Sequence, residues 1–379
     1  MNRRARGLFS MAAAASAAVV LVPVITLAQG PQRPAAAKPS QARQVPAETT
    51  AAARKNKNWT PPKTSWGHPD LQGIWTSDDM RSVPTSRPEA MAGRTALTPE
   101  EFARRASGDD ASRDRAVNKE TVLRNEFGVR TFGYTSLVTD PADGRIPPLT
   151  PEALKRAGPR DAGTFGPGPF NSPEDFTLYD RCITRGVVGS LLPVLYGNGL
   201  RIVQTPQQIV ISYEMIHDTR IIPLDGRPHI GPGLRQYLGD SRGRWEGTTL
   251  VVETTNFTNQ TSIGANGNGV RHSDRMKMTE RFTRVDPEMI DYEVTMDDPV
   301  AYTRPFTMRM TITTQPDYQL YEYACHEGNG AVKYALSGER AYDKSVADAV
   351  AKGLPMPPRD TGSPYGPPAP GVAPARLVE

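Results

Sequence analysis

Between Gly239 and Gly243 the chain reads Gly-Asp-Ser-Arg-Gly, a match to Gly-x-Ser-x-Gly. In hydrolases with a nucleophile elbow this spacing sits on a sharp turn between a strand and a helix. Here Thr249 to Phe257 are rich in β-branched residues and alternate, so a strand follows and a plain turn is the expected role. A trypsin-like Gly-Asp-Ser fares no better, because Arg242 stands where a glycine is needed and no His and Asp segments precede it convincingly.

Five histidines are present, His68, His217, His229, His272 and His326, none at a close ligand spacing, so neither a metal nor another cofactor is expected. His229 follows Asp225 and Arg227 on a turn, and His326 precedes Glu327. Either histidine beside a carboxylate could act as a general base, which makes His229, His326, Glu327 and Asp240 the catalytic candidates. Asp225, Arg227, His229, Arg242, Trp245, Glu246, Glu280, Tyr302, Arg304 and His326 form a candidate ligand-binding set. For the turn residues the competing role is local hydrogen bonding that ties down a loop.

One carboxylate is out of phase with its strand. In Met276, Met278, Glu280 and Phe282 the glutamate takes an apolar-face slot, and Glu322 shares a face with Leu320 and Ala324. A buried carboxylate needs a cation or a proton, and Arg220, Arg304 and Arg309 are the available partners. Cys182 and Cys325 are the only cysteines. In an exported chain they are expected to form one disulfide, the alternative being a Cys325 nucleophile beside His326.

The elements that must position these residues are mostly strands. Residues 200–205, 208–215, 219–224, 249–257, 275–285, 289–297, 305–314 and 318–326 read as strands at meander spacing, with one more near Trp75. In 289–297 and 305–314 apolar and polar residues alternate, so one face is expected to be buried. The expected fold is therefore mainly β: an antiparallel up-and-down, calycin-like β-barrel, with a β-sandwich as the rival. A helix- and loop-rich insertion is expected over 78–199. Within it Thr98-Pro99-Glu100 and Thr150-Pro151-Glu152 each start a short helix with an N-cap Thr and a first-turn Pro. A C-terminal helix over 331–351 is expected to cross an open end of the barrel.

The ends carry a different message. MNRRARG followed by an apolar, Ala-rich run to Ala28 reads as a signal peptide cleaved after Ala28, with an uncleaved membrane anchor as the alternative. Removing Arg3, Arg4 and Arg6 takes the formal charge from +4 to +1, which argues against a nucleic-acid partner or a membrane partner beyond export. Residues 29–64 and 353–379 read as disordered Pro-rich segments flanking one domain at 65–352. The expected location is the periplasm or outside the cell.

The motifs PDLQGIW, IIPLDGRPH, LGDSRGRWEGTTLVVETTNF, ERFTRVD, DDPVAYTRPF and YEYACHEGN together resemble a family of secreted bacterial proteins with no assigned activity. The likeness covers roughly residues 69 to 345 and implies export but no catalytic residue. Gly73-Ile74-Trp75 is similar to the first strand of lipocalin-like barrels, whose Trp closes the barrel floor. The expected function is binding of a small, largely apolar ligand in a cavity with a polar rim. The alternatives are a metal-independent hydrolase or isomerase using a His/carboxylate pair, and an envelope structural protein.

Overall fold

The computed structural model describes residues 43–45, 59–118, 128–157, 169–264, 269, 271–315 and 318–358. The expected signal peptide and most of both Pro-rich segments lie outside them. Within the expected N-terminal tether, β1 (Arg43–Val45) pairs in parallel with β3 (Arg130–Phe132).

The larger sheet contains β2 (Gly73–Thr76), β4 (Val138–Asp140), β5 (Gly199–Gln204), β6 (Gln208–Tyr213), β7 (Thr219–Pro223), β8 (Asp240–Glu246), β9 (Thr249–Thr255), β10 (Lys277–Asp286), β11 (Met289–Asp297) and β12 (Phe306–Thr313). Its order is β7-β6-β5-β2-β12-β11-β10-β9-β8, with β4 added to β12, and every pairing is antiparallel. The chain is mainly β, as the alternation implied. The sheet consists of two meanders, β5 to β7 and β8 to β12, joined through β2.

The expected barrel does not close. Nine antiparallel strands in a row leave the first and last running in the same direction, so a closing ladder would have to be parallel. No backbone ladder joins β7 to β8. Side chains bridge the two edges instead: Arg220 Nη2 on β7 donates to Ser241 Oγ on β8 at 3.1 Å. A Cβ placed on Gly243 would lie 2.7 Å from Leu224 and 2.9 Å from Ile222, so the edges pack tightly only because Gly243 has no side chain. We call this junction the seam.

The concave face holds the core. Trp75, Leu200, Ile202, Ile209, Ile211, Ile222, Leu250, Val252, Phe282, Ile290, Tyr292, Val294, Phe306, Met308, Met310 and Ile312 are buried in one cluster. Trp75 Nε1 donates to Leu71 O at 2.9 Å, which gives the buried indole its partner.

The convex face is not bare, contrary to the one-sided reading of the strands. Thr313 Oγ1 donates to Asp79 Oδ2 at 2.6 Å, and Thr311, Thr313 and Asp291 are buried. The insertion supplies this cover. Asp79 accepts from Val129 N, Arg130 N and Arg130 Nη1, and Arg130 reaches on to Glu288.

Both capped helices form, α1 (Pro99–Asn118) and α2 (Pro151–Arg156). Thr98 and Glu101 make reciprocal cap bonds, and Thr150 Oγ1 accepts from Ala153 N. At 20 residues α1 is longer than expected.

Two C-terminal expectations are corrected. Residues 318–326 are not a strand: Tyr318 OH donates to Glu214, and 325–328 is a turn. Side-chain anchors and the Cys182–Cys325 disulfide, with Cα atoms 5.6 Å apart, hold this segment where a ladder was expected. The final helix α3 (Ala331–Ala351) is present, but only Ala349 in it is buried, and it capped no barrel end. Its Arg340 instead reaches Phe170 and Asn171.

Candidate functional site

From Asp240 on, the Gly-x-Ser-x-Gly segment is strand β8 and not the expected turn; only Gly239, at φ +67°, belongs to the turn before it. Gly247, at φ +62°, opens the two-residue turn to β9, because Glu246 pairs with Thr249. Extended backbone sends neighbouring side chains to opposite faces, so Asp240 and Arg242 leave the core face on which Ser241 and Gly243 lie.

Ser241 joins a buried polar cluster. Arg220 donates to Glu280 through Nη1 (3.0 Å to Oε1) and Nη2 (2.6 Å to Oε2), and also to Tyr213 OH at 3.2 Å and Ser241 Oγ at 3.1 Å. Tyr292 OH donates to Glu280 Oε1 at 3.1 Å, and Ser241 Oγ shares a hydrogen with Thr254 Oγ1 at 3.0 Å. All six residues are buried, and they come from β6, β7, β8, β9, β10 and β11. Burial opposes the Arg220 charge, yet Glu280 more than offsets it and holds the guanidinium above its ordinary pKa. Burial likewise raises the Tyr213 and Tyr292 phenols, which stay neutral, Tyr292 donating to Glu280 and Tyr213 accepting from Arg220.

Above this cluster the seam opens into a cleft of about 550 Å³. Ile183, Thr184, Asp218 to Ile221 and Gln236 to Ser241 line it. Arg220 Nε and Asp218 Oδ2 are buried there without a hydrogen-bond partner. Burial raises the Asp218 pKa against a hydrogen bond from Thr184 and the nearby His217. The residues before it are strained: Ile216 and His217 have φ of +65° and +47°. Apolar wall comes from Ile183, Ile221, Tyr237 and Leu238.

The expected site residues are distributed as follows. Asp240 lines the cleft and accepts from Ile230 N at 3.1 Å, with His229 Nδ1 2.8 Å away and Arg242 Nη2 3.1 Å away. Arg242 Nε also donates to Pro228 O, so these three residues pin the crossover from β7 to β8. Asp225 and Arg227 pair with each other on the exposed turn of that crossover. Glu280 lies beneath, held by Arg220; Arg309 pairs with Asp291 instead.

The remaining candidates are elsewhere. Trp245 and Glu246 lie at the far end of β8, with Trp245 5.4 Å from the His68 ring and Glu246 bonded to Arg244 and Arg281. Tyr302 is a core residue packed edge-on against Phe306. Arg304 is exposed, 3.5 Å from Asp140, and borders a second groove of about 820 Å³. His326 and Glu327 are exposed on the turn after the disulfide, and Glu322 is exposed too. A single rim holding all of them does not form.

The second groove is larger, but its buried cation is already engaged, since Arg87 donates through Nε to Thr135 Oγ1 and through Nη1 to Ala142 O. Buried polar atoms left unpaired mark the seam cleft as the better ligand site. Sequence reasoning missed Asp218, Tyr213 and Thr254. Arg220, Ser241 and Thr254 occupy the inward slots of their strands, as Glu280 does, so the out-of-phase rule that found Glu280 would have found them.

Among the described residues no group of three or more His, Cys, Asp or Glu side chains could hold a metal ion, and no helix is long and apolar enough to cross a membrane. The chain matches no protein-family model, no curated protein and no solved structure.

Proposed function

We propose that this is an exported binding protein whose ligand is a small, largely apolar molecule seated in the seam cleft. The observation that carries the reading is the pair of unpartnered buried atoms at the cleft, the donor Arg220 Nε and the acceptor Asp218 Oδ2. A ligand head that both accepts and donates, such as a hydroxyl or a primary amide, would satisfy both. Its apolar body would lie against Ile183, Ile221, Tyr237 and Leu238. Ile221 is 58% exposed on an edge strand, so apolar surface is already offered there.

The calycin likeness belongs to the same proposal. A curled sheet with Trp75 buried near its start and a cleft at its open seam supports reading the fold as a barrel left unzipped along one line. Export is supported by the Cys182–Cys325 bond, which persists in an oxidising compartment.

The test is native mass spectrometry of the protein recovered from an exporting host, wild type beside Ile221→Arg. A bound small molecule in the wild type that is lost in the variant, at unchanged melting temperature, supports the proposal. No adduct in the wild type, or the same adduct in both, sinks it.

A second reading has one specific observation behind it. The 2.8 Å His229–Asp240 contact occupies Nδ1 and leaves Nε2 as the ring nitrogen for general-base work in a hydrolase or isomerase. Ser241 is not its nucleophile, because that hydroxyl is engaged by Arg220 and Thr254 inside the core. Turnover of a substrate that His229→Ala abolishes without loss of ligand binding would favour this reading.

A further inference from the structure

Arg185 is 1% exposed. Its Nη2 donates to Leu192 O at 3.3 Å, while Nε and Nη1 are buried with no hydrogen-bond partner. Among the described residues no carboxylate acts on it; the ionisable groups around it are Tyr179, Tyr323 and Tyr196. A buried cation of this kind is ordinarily paired, because an unmatched charge in the interior is expensive.

The three tyrosines surround that cation. Their phenols neighbour one another, and burial together with that proximity raises the Tyr179 and Tyr323 pKa. The Tyr196 and Tyr323 rings stack at 6.2 Å, and Tyr196 is 38% exposed. The disulfide and the contact of His217 Nδ1 with Tyr323 O at 3.2 Å fix Tyr323 in place. Burial lowers the Arg185 pKa to about 10 and raises that of Tyr179 to about 12, so near neutral pH the guanidinium is charged and the Tyr179 phenol is a neutral donor.

We propose that Arg185, Tyr179, Tyr196 and Tyr323 form a binding site for the carboxylate head of a small organic acid. The site has one positive charge and phenolic donors around it, so a single negative charge balances it. A carboxylate can accept from the guanidinium and from phenols at once, and charge-assisted bonds of that kind are the strong ones. This inference does not rest on the seam cleft.

The experiment is isothermal titration of the purified full chain with sodium acetate at constant ionic strength, with sodium chloride as the competing probe. The expected result is saturable acetate binding, about tenfold weaker in Tyr196→Phe, which removes one hydroxyl from a partly exposed ring. Arg185→Met is expected to abolish binding, and if it does not fold, Tyr196→Phe carries the test. Absence of saturable acetate binding, equal binding of chloride, or an unchanged affinity in Tyr196→Phe would overturn the proposal.

Discussion

Arg220 on β7 crosses the seam and grips Glu280 on β10 through both terminal nitrogens, at 3.0 and 2.6 Å, while also bonding Ser241 on β8. Where a ladder would have closed the sheet, Arg220 spans the gap: its bond to Ser241 links the two edge strands, and its ion pair with Glu280 anchors it to β10. Both side chains are almost fully buried, so the pair is shielded from salt.

Removing one partner strands the other. Glu280→Gln is expected to lower unfolding free energy by about 3–5 kcal/mol, read by denaturant titration. Arg220→Met combined with Glu280→Leu should recover much of that loss, though Tyr213 and Tyr292 then lose their hydrogen-bond partners. A Glu280→Gln protein as stable as wild type would show that the clasp does not hold the seam.

The strands were legible because their alternation is local, and Glu280 was legible because it broke that alternation. The seam was not, since which edges meet depends on nine strands counted together. The β8 segment reads as a turn because glycines usually signal one; here Gly243 is small so that Ile222 and Leu224 can approach. Residues 318–326 alternate like a strand, but Glu214 and Cys182 capture them first. The rim residues Asp225, Arg227, His229, Asp240 and Arg242 do share one region, because a single crossover loop carries or contacts all of them.

Gly243→Val adds bulk where the edges have none to spare. Ile222 is buried and β-branched, so it cannot rotate away freely. A loss of about 1–3 kcal/mol in thermal or chemical unfolding is expected, whereas the same change at exposed Gly231 should be nearly silent.

The disulfide closes a separation of 143 residues. Cys182→Ser with Cys325→Ser is expected to lose about 2–5 kcal/mol, mainly by freeing the unfolded chain. Equal melting temperatures for the oxidised protein and the double variant would contradict this.

Asp78 supplies a pH signature. Burial raises its pKa from 3.8 to about 7, despite hydrogen bonds from Asn198 and Thr76, with Asp79 and Arg81 also nearby. Between those values the folded state binds the extra proton, so its contribution falls as pH rises through the window. Wild type should therefore lose stability relative to Asp78→Asn from pH 4 to pH 7, in parallel unfolding curves.

Hydrogen–deuterium exchange on protein carrying its copurified ligand, compared with the same protein after extraction, tests the placement of the site most directly. The expected result is protection by ligand on both walls of the seam, residues 218–221 and 236–241, with the Arg304 groove unchanged. Protection confined to residues 141–154 and Arg304, or equal exchange in the two samples, would contradict it.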